Sequence, residues 1–246
     1  MTPEVLVTPD HESLAAAVAA RVITGLIDAL EARPVAHLCL TGGTIGTDSL
    51  AAITASPAST AVDWSRVHIW WSDERFEPTG DPLRNETGAR AALLDHVPLN
   101  PTQVHPMPAP GGSWGDDVEA AAAAYAAELV SAGDGADSPV FDLLLLGVGP
   151  DGHVASLFPG FPEIDAPGTV CGVKGSPKPP PIRISFTLAA INIAREVWLV
   201  ASGAEKAHAI AAAITSGAAS QLPSGMVHGT ERTLALLDVS AASELA

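Results

Sequence analysis

Residues 141–153 read FDLLLLGVGPDGH, and this stretch decides the fold. Its first half is apolar at consecutive positions, which is typical of a strand that is covered on both faces. Such strands occur in parallel sheets packed between two layers of helices. Its second half, from Gly149 to His153, is a polar turn with two glycines. The stretch therefore predicts a central parallel strand that ends in a turn carrying chemically useful side chains.

Strand-like and helical segments alternate on both sides of this stretch. Strands are predicted at 35–40, 67–71, 182–188, 197–200 and 233–237, and helices at 11–32, 85–95, 118–131 and 204–215. The alternation indicates right-handed βαβ units. We therefore expect one α/β domain over 1–246, with three layers (α/β/α) and a mostly parallel, Rossmann-like central sheet. The segment 160–181 is rich in proline and glycine and is predicted to be a mobile surface loop.

The composition excludes several classes of protein. The formal net charge is −16, from 12 Lys and Arg against 28 Asp and Glu, and 47% of residues are hydrophobic. The apolar content excludes a disordered chain, and the acidity argues against a general nucleic-acid binder. We find no run of about 20 apolar residues that would span a membrane, and no secretory leader. Cys39 and Cys171 form no disulfide or CxxC pattern. A cytoplasmic protein with no membrane partner is expected.

Three predicted strands end in polar turns. In open α/β sheets, ligands bind beyond the carboxyl ends of the strands, so turns from neighbouring parallel strands meet at one site. Their convergence is the main argument for an active site at this edge. Besides 149–153, the turns contain Thr41, Gly42, Gly43 and Thr44, and then Ser72, Asp73, Glu74 and Arg75.

The glycine-rich turn at 41–44 has the composition of an anion site. Successive backbone N–H groups in such a turn can point at a phosphate or carboxylate. An ordinary tight turn is the alternative. The turn lacks both the GxxxxGK[ST] pattern of P-loops and the GxGxxG pattern of dinucleotide-binding proteins.

The turn at 149–153 offers an acid–base pair. A short helix predicted at 154–158 would place His153 near a helix N-terminus, where the dipole disfavours imidazolium. A neutral His153 can act as a general base, and Asp151 can orient it. The alternative is a polar turn with a surface histidine. The other seven histidines, which include His11, show no metal-ligand spacing, so we expect no metal. The chain also lacks a GxSxG nucleophile motif.

Residues 147–159 resemble the GxGPDGHxASLFP signature of the 6-phosphogluconolactonases. Three further segments are similar to that family: SDER at 72–75 with RNE at 84–86, GAEKA at 203–207, and LPS at 222–224. The match covers nearly the whole chain. It implies a fold shared with glucosamine-6-phosphate deaminases and ribose-5-phosphate isomerase-like proteins. One departure is Ile45, which follows Thr44 where the family often has proline.

The resemblance implies hydrolysis of 6-phospho-D-glucono-1,5-lactone in the oxidative pentose phosphate pathway, without a cofactor. A sugar phosphate would be the ligand, and the protein would be a monomer or weak homodimer. Lys206 and Arg183, each placed after a predicted strand, would hold the phosphate with the backbone of 42–44. The implied catalytic residues are His153, Asp151 and Arg75. The implied substrate-binding residues are Thr41, Gly42, Gly43, Thr44, Asp73, Glu74, Asn85, Gly152, Arg183 and Lys206.

Two other functions are compatible with this fold. Glucosamine-6-phosphate deaminases share the DGH turn but carry a glutamate five residues after the histidine, where this chain has Phe158. They also have tyrosine where this chain has Arg75. A sugar-phosphate sensor of the same fold usually has an N-terminal helix-turn-helix module, for which there is no room before Val35. These differences favour the lactonase.

Overall fold

A computed structural model describes residues 3–216 and 221–245. The strands are β1 (Glu4–Thr8), β2 (Ala36–Leu40), β3 (Val67–Trp71), β4 (Asp73–Arg75), β5 (Leu143–Gly147), β6 (Val170–Lys174), β7 (Ile182–Phe186), β8 (Glu196–Ala201) and β9 (Arg232–Asp238). The helices are α1 (His11–Ala32), α2 (Gly43–Ala55), α3 (Asn85–Ala89), α4 (Val118–Ala132), α5 (Leu188–Ile191), α6 (Ala207–Ser216) and α7 (Pro223–Met226).

Six strands form a parallel sheet in the order β1-β9-β8-β5-β2-β3. β5 lies inside the sheet, and its side chains alternate between two cores. Leu144 and Leu146 pack towards α4 and α6, whereas Leu143 and Leu145 pack towards α1 and α2. This arrangement confirms the three-layer α/β prediction, and it explains why β5 is apolar at every position. The single domain expected over 1–246 stays a prediction, and its residues 1–2, 217–220 and 246 lie outside the described part.

A second sheet of three antiparallel strands, in the order β4-β7-β6, lies beside the first. Ser72 joins the two sheets, because its N–H donates to the Leu40 carbonyl (3.1 Å) and its carbonyl accepts from the Phe186 N–H (2.8 Å). The sequence DER at 73–75 is therefore strand β4 and not a turn. The prediction of a mobile loop at 160–181 was wrong, since β6 lies within it, pairs with β7 and is covered by α4.

Several elements were missed, among them α2 and β1. α2 begins directly after the glycine turn, and its first residues, Gly-Thr-Ile-Gly-Thr, have poor helix propensity. The helix is stabilised by burial of Leu50 and Ile53 against α1. β1 is a partly exposed edge strand with a short apolar pattern. The helix predicted at 85–95 exists, although it continues from α3 as a π-helical turn over Arg90–Leu94.

Helix α1 qualifies as a membrane span by length and composition, contrary to the sequence-based expectation. Its 18-residue window has a mean hydropathy of 1.6, but 50% of that window is buried inside the protein. Leu14, Val18 and Leu26 are among the residues that it packs into the core. The helix is apolar because one face covers the sheet.

Three histidines cluster at the edge of the sheet opposite the predicted site. His37 and His68 are register partners on β2 and β3. His37 Nδ1 accepts from Trp70 Nε1 (3.1 Å), and His68 Nδ1 lies 2.9 Å from His105 Nε2. Burial, together with the neighbouring histidines, lowers the pKa of His37 to about 3 and that of His68 to about 4. The folded protein therefore holds both rings neutral down to low pH.

We expect this cluster to make the fold acid-sensitive. Below the ordinary histidine pKa of about 6.5, His37 and His68 bind protons in the unfolded chain but stay neutral in the folded protein. Because the unfolded state then binds more protons, the free energy of unfolding falls as the pH falls. Between pH 7 and pH 5 the loss should be about 1–3 kcal/mol after discounting for partial exposure. Urea unfolding at the two pH values measures it. His37→Gln should reduce the pH dependence, and the exposed-site control His228→Gln should not. An equal pH dependence in all three proteins would contradict the assignment.

Candidate active site

A cleft of about 460 Å³ opens at the carboxyl ends of β2, β5 and β8. Its walls come from Thr41–Ile45 after β2, Gly147–Gly149 at the end of β5, and Val200–Ser202 at the end of β8. The predicted convergence of turns is therefore present. Ten predicted residues line the cleft, namely Thr41, Gly42, Gly43, Thr44, Asp73, Arg75, Asn85, His153, Arg183 and Lys206.

The glycine turn leads from β2 straight into α2. Gly43 has φ +79°, a conformation that glycine adopts without strain. Gly42 is the N-cap, and no side chain among the described residues caps the first N–H groups of the helix. A Cβ on Gly42 would lie 1.9 Å from Asn85 Oδ1, so the Asn85 amide lies directly over it. The uncapped end of this 13-residue helix forms one wall of the cleft, and such an end can bind an anion.

His153 and Asp151 form a hydrogen-bonded pair. His153 Nδ1 lies 2.5 Å from Asp151 Oδ1, and the imidazole lies against the Phe158 ring with 4.6 Å between centroids. Asp151 does not itself line the cleft, so it contacts His153 from behind. Burial lowers the pKa of His153, although the hydrogen bond to Asp151 opposes this effect. The result favours a neutral imidazole near pH 7.

The helix predicted at 154–158 is absent, so a helix dipole cannot be the reason that His153 is neutral. Val154 instead forms isolated bridges with Val148 and Leu157, and Ala155 has φ +49°. Burial, and not a helix N-terminus, is the cause of the lowered pKa of His153.

Gly149 makes room for the pair. A Cβ at this position would lie 2.0 Å from His153 Nδ1 and 2.5 Å from Asp151 Oδ1. Its N–H also donates to the His153 carbonyl (2.9 Å), which closes the turn. The first glycine of the GPDGH segment is therefore required by close contact with the two side chains.

Arg183 lies within β7, not after a strand as predicted, and it is 5% exposed. Its Nη2 donates to the Lys178 carbonyl (3.0 Å) and its Nε to the Pro180 carbonyl (3.2 Å). Its Nη1 is 3.8 Å from Asp73 Oδ2, an oxygen that also accepts from the Ser156 hydroxyl (2.6 Å). Most hydrogen bonds of the Arg183 guanidinium therefore go to backbone carbonyls of residues 178–180 and hold this segment in place.

Lys178 is a cleft residue that sequence reasoning missed. Its Nζ lies 3.7 Å from Asp151 Oδ1. Burial lowers the pKa of Lys178, while Asp151 raises it. The proline-rich surroundings suggested a mobile loop, and only the pairing of β6 with β7 reveals that this lysine is held in place.

Lys206 and Arg75 complete the cationic lining. Lys206 ends a 3-10 turn after β8, with Nζ 3.5 Å from Glu205 Oε1. Arg75 is the register partner of Arg183 across β4 and β7, and its Nη1 donates to the Leu83 carbonyl. Four cationic side chains, including Lys178, thus face one cleft in a protein with a net charge of −16.

Glu74 and Gly152, which were predicted to bind substrate, do not line the cleft, and their role stays a prediction. Glu74 is 1% exposed, and its carboxylate accepts from the backbone N–H groups of Arg75 (2.8 Å), Asn85 (2.6 Å) and Glu86 (2.8 Å). Burial raises the pKa of Glu74 to about 7, whereas Arg84 and the three donors favour the carboxylate. The Gly152 carbonyl accepts from the Ser224 N–H (3.0 Å). Both residues support the site from behind.

Among the described residues, no group of three or more His, Cys, Asp or Glu side chains is arranged to hold a metal ion.

Comparison with known proteins matches residues 9–236 to the family described as glucosamine-6-phosphate isomerases/6-phosphogluconolactonase. A 6-phosphogluconolactonase of Streptomyces coelicolor is 56% identical over 99% of this chain and 95% of its own length. The solved structure of 6-phosphogluconolactonase from Trypanosoma brucei has a TM-score of 0.82 at 27% identity, over 99% of this chain and 99% of its own. A monomeric glucosamine-6-phosphate deaminase has a TM-score of 0.78 at 20% identity over 98% of this chain and 99% of its own, which shows a common fold only.

Replacing Glu74 tests its structural role. Glu74→Ala leaves the backbone N–H groups of Arg75, Asn85 and Glu86 without their acceptor and removes the carboxylate 3.9 Å from Arg84 Nε, so we expect a loss of about 3–5 kcal/mol in the free energy of unfolding. Urea denaturation at pH 8 measures the loss. The control Glu31→Ala removes an exposed carboxylate from α1 and should change stability by less than about 0.5 kcal/mol. Equal, small effects of the two changes would show that Glu74 is not a structural anchor.

Proposed function

The chain belongs to the glucosamine-6-phosphate isomerase/6-phosphogluconolactonase family, and we propose that it hydrolyses 6-phospho-D-glucono-1,5-lactone with His153 as the general base. The activity is that of a 6-phosphogluconolactonase, a hydrolase of the oxidative pentose phosphate pathway. The observation that supports the role of His153 is its pairing with Asp151 through Nδ1. The pairing leaves Nε2 for a water molecule in the cleft.

The reaction needs only a base, water and charge stabilisation, because a lactone is an activated ester. His153 Nε2 takes a proton from water as the oxygen attacks the lactone carbonyl carbon. The tetrahedral intermediate then expels the ring oxygen, which receives that proton from the imidazolium. Asp151 orients the ring and stabilises the imidazolium, and Lys178 helps to keep Asp151 ionised. Arg75 stabilises the negative charge that develops on the carbonyl oxygen.

We assign the phosphate to the opposite wall of the cleft. The uncapped N-terminus of α2, with Gly42, Gly43 and Thr44, supplies backbone donors, and Lys206 supplies a charge. Thr41 supports this wall, because its Oγ1 accepts from the Gly147 N–H (2.9 Å). Arg183 is a weaker candidate for the phosphate than Lys206, since its guanidinium already makes four hydrogen bonds and one ion pair within the protein. Asn85 and Asp73 are assigned to sugar hydroxyls.

Deamination of glucosamine 6-phosphate is not favoured. Deaminase relatives carry a ring-opening carboxylate where this chain has Phe158. Phe158 is 1% exposed and lies against the His153 imidazole, so no carboxylate can approach the base from that position. Asp73 holds Ser156 and faces Arg183, which commits its carboxylate to structure as well as to substrate.

We also propose that the enzyme needs no metal or cofactor, lies in the cytoplasm and is a monomer or weak homodimer that binds neither nucleic acid nor membranes. Cys39 and Cys171, both buried and unpaired among the described residues, are compatible with a reducing compartment. Cell fractionation tests the location, and finding the protein outside the cytoplasm would disprove it. Gel filtration tests the oligomeric state, and a stable larger oligomer would disprove it.

Product analysis tests the function. The enzyme should convert freshly made 6-phosphogluconolactone to 6-phosphogluconate in the presence of EDTA, above the spontaneous rate, and should release no ammonia from glucosamine 6-phosphate. His153→Ala should lower kcat by about 10²–10⁴, the range for loss of a general base. Gly149→Ala should also lower kcat, by about 10², because its Cβ displaces the same pair.

The matched controls for these variants are His96→Ala, an exposed histidine, and Gly88→Ala, whose Cβ would meet Thr47 at an ordinary 3.6 Å. Both should keep wild-type kcat. A fully active His153→Ala enzyme would refute the base assignment. Loss of activity in EDTA with recovery on adding zinc would refute metal-free catalysis, and ammonia release would promote the deaminase.

Lys206→Ala tests the phosphate wall. A charge-assisted hydrogen bond is worth about 1.5–3 kcal/mol, so kcat/KM for the phosphorylated lactone should fall about 10- to 150-fold. Activity on unphosphorylated gluconolactone should change little. Lys174 is the matched control, because its Nζ also lies 3.5 Å from a glutamate but outside the cleft. An equal loss on both substrates would remove Lys206 from the phosphate site.

A further inference from the structure

His11 lines the cleft, although no motif includes it and its sequence context indicated a surface or packing residue. It is the first residue of α1. Its Nε2 lies 2.7 Å from Asp48 Oδ2 on α2, and its Nδ1 lies 3.0 Å from Ser202 Oγ, just after β8. One imidazole therefore joins three elements that meet at the cleft.

The surrounding hydrogen bonds determine where the protons of His11 are. Ser202 Oγ lies 2.6 Å from Asp238 Oδ2, and that carboxylate also accepts from the Gly203 and Ala241 N–H groups. Although burial raises it, these donors lower the pKa of Asp238 overall, so the group is a carboxylate. The single Ser202 hydroxyl proton is therefore donated to Asp238. Ser202 Oγ must then accept from His11 Nδ1–H.

The second ring nitrogen also has a partner within the protein. Nε2 lies 2.7 Å from the Asp48 carboxylate on α2, and the two side chains form an ion pair when the ring is protonated. Because both ring nitrogens have partners within the protein, neither is left for substrate.

The two elements that His11 connects are those assigned to the phosphate. Asp48 belongs to α2, whose N-terminus supplies Gly43 and Thr44. Ser202 immediately precedes the turn that ends in Lys206. The distance between the N-terminus of α2 and Lys206 therefore depends on one side chain, His11, that makes a hydrogen bond to each of the two segments.

We propose that His11 is a positioning residue whose imidazole clamps the Lys206 segment to α2 through Ser202 and Asp48, and thereby sets the affinity for the substrate's phosphate group. The proposal rests on the proposed lactonase function. It predicts a defect in capture of the phosphorylated substrate, with little effect on the chemistry at His153.

Steady-state kinetics on two substrates tests the clamp. His11→Gln keeps a single donor group, so KM for 6-phosphogluconolactone should rise about tenfold while kcat stays within about twofold. The kcat/KM for unphosphorylated gluconolactone should be unchanged. Asp48→Ala removes the acceptor on α2 and should give the same pattern, and it replaces His11→Gln if that variant does not fold. The control is His208→Gln, because His208 is also paired with a carboxylate, that of Glu244, but is 86% exposed and outside the cleft.

A binding titration separates the clamp from the lactonase assignment. Inorganic phosphate, used as the probe in a binding titration, should bind about tenfold more weakly to His11→Gln than to wild type. Equal losses on the two lactones, or unchanged phosphate binding, would overturn the proposal. An inactive wild-type enzyme that shows the expected phosphate binding would reject the lactonase and keep the clamp.

Discussion

The position of the candidate site is determined by the point at which β2 and β5 stop pairing. The two parallel strands pair over only two register positions, Leu38 with Leu143 and Cys39 with Leu144. Beyond them the strands are no longer register partners, and a hydrogen bond from the Gly147 N–H to Thr41 Oγ1 (2.9 Å) joins their ends. A crevice at the carboxyl ends of diverging strands is where open α/β sheets bind ligands. The glycine turn lies on one side of this point, and the turn with His153 on the other.

The sequence predicts the centre of the molecule better than its margins. β5 was predictable because burial on both faces demands an unbroken apolar run, and the turn after it because glycine and proline end a strand. β6 was missed because its five residues lie within the proline- and glycine-rich stretch 160–181, and its pairing with β7 and its cover by α4 leave no local signal. α2 was missed because packing against α1 overrides the poor propensity of its first turn. Elements whose stability comes from distant contacts leave little local signal.

The candidate site follows the same rule. His153 and the glycine turn are local in sequence, and both were predicted. Lys178 and His11 are recognisable only in three dimensions, since one is placed by carbonyls that bind Arg183 and the other by contacts to α2 and Ser202. The neutral state expected for His153 has a cause different from the one the sequence suggested, because burial replaces the helix dipole.

The register between β4 and β7 has a thermodynamic consequence. It places Arg75 opposite Arg183, and Asp73 is the carboxylate next to Arg183. Burial lowers the pKa of Arg183, and the charge of Arg75 lowers it further while Asp73 raises it. The repulsion between the two guanidinium charges is present in the folded state and absent in the unfolded state, so it lowers the free energy of unfolding. An anion bound beside both side chains would offset this repulsion and so stabilise the folded state. The fraction of folded protein would then rise with the concentration of that anion.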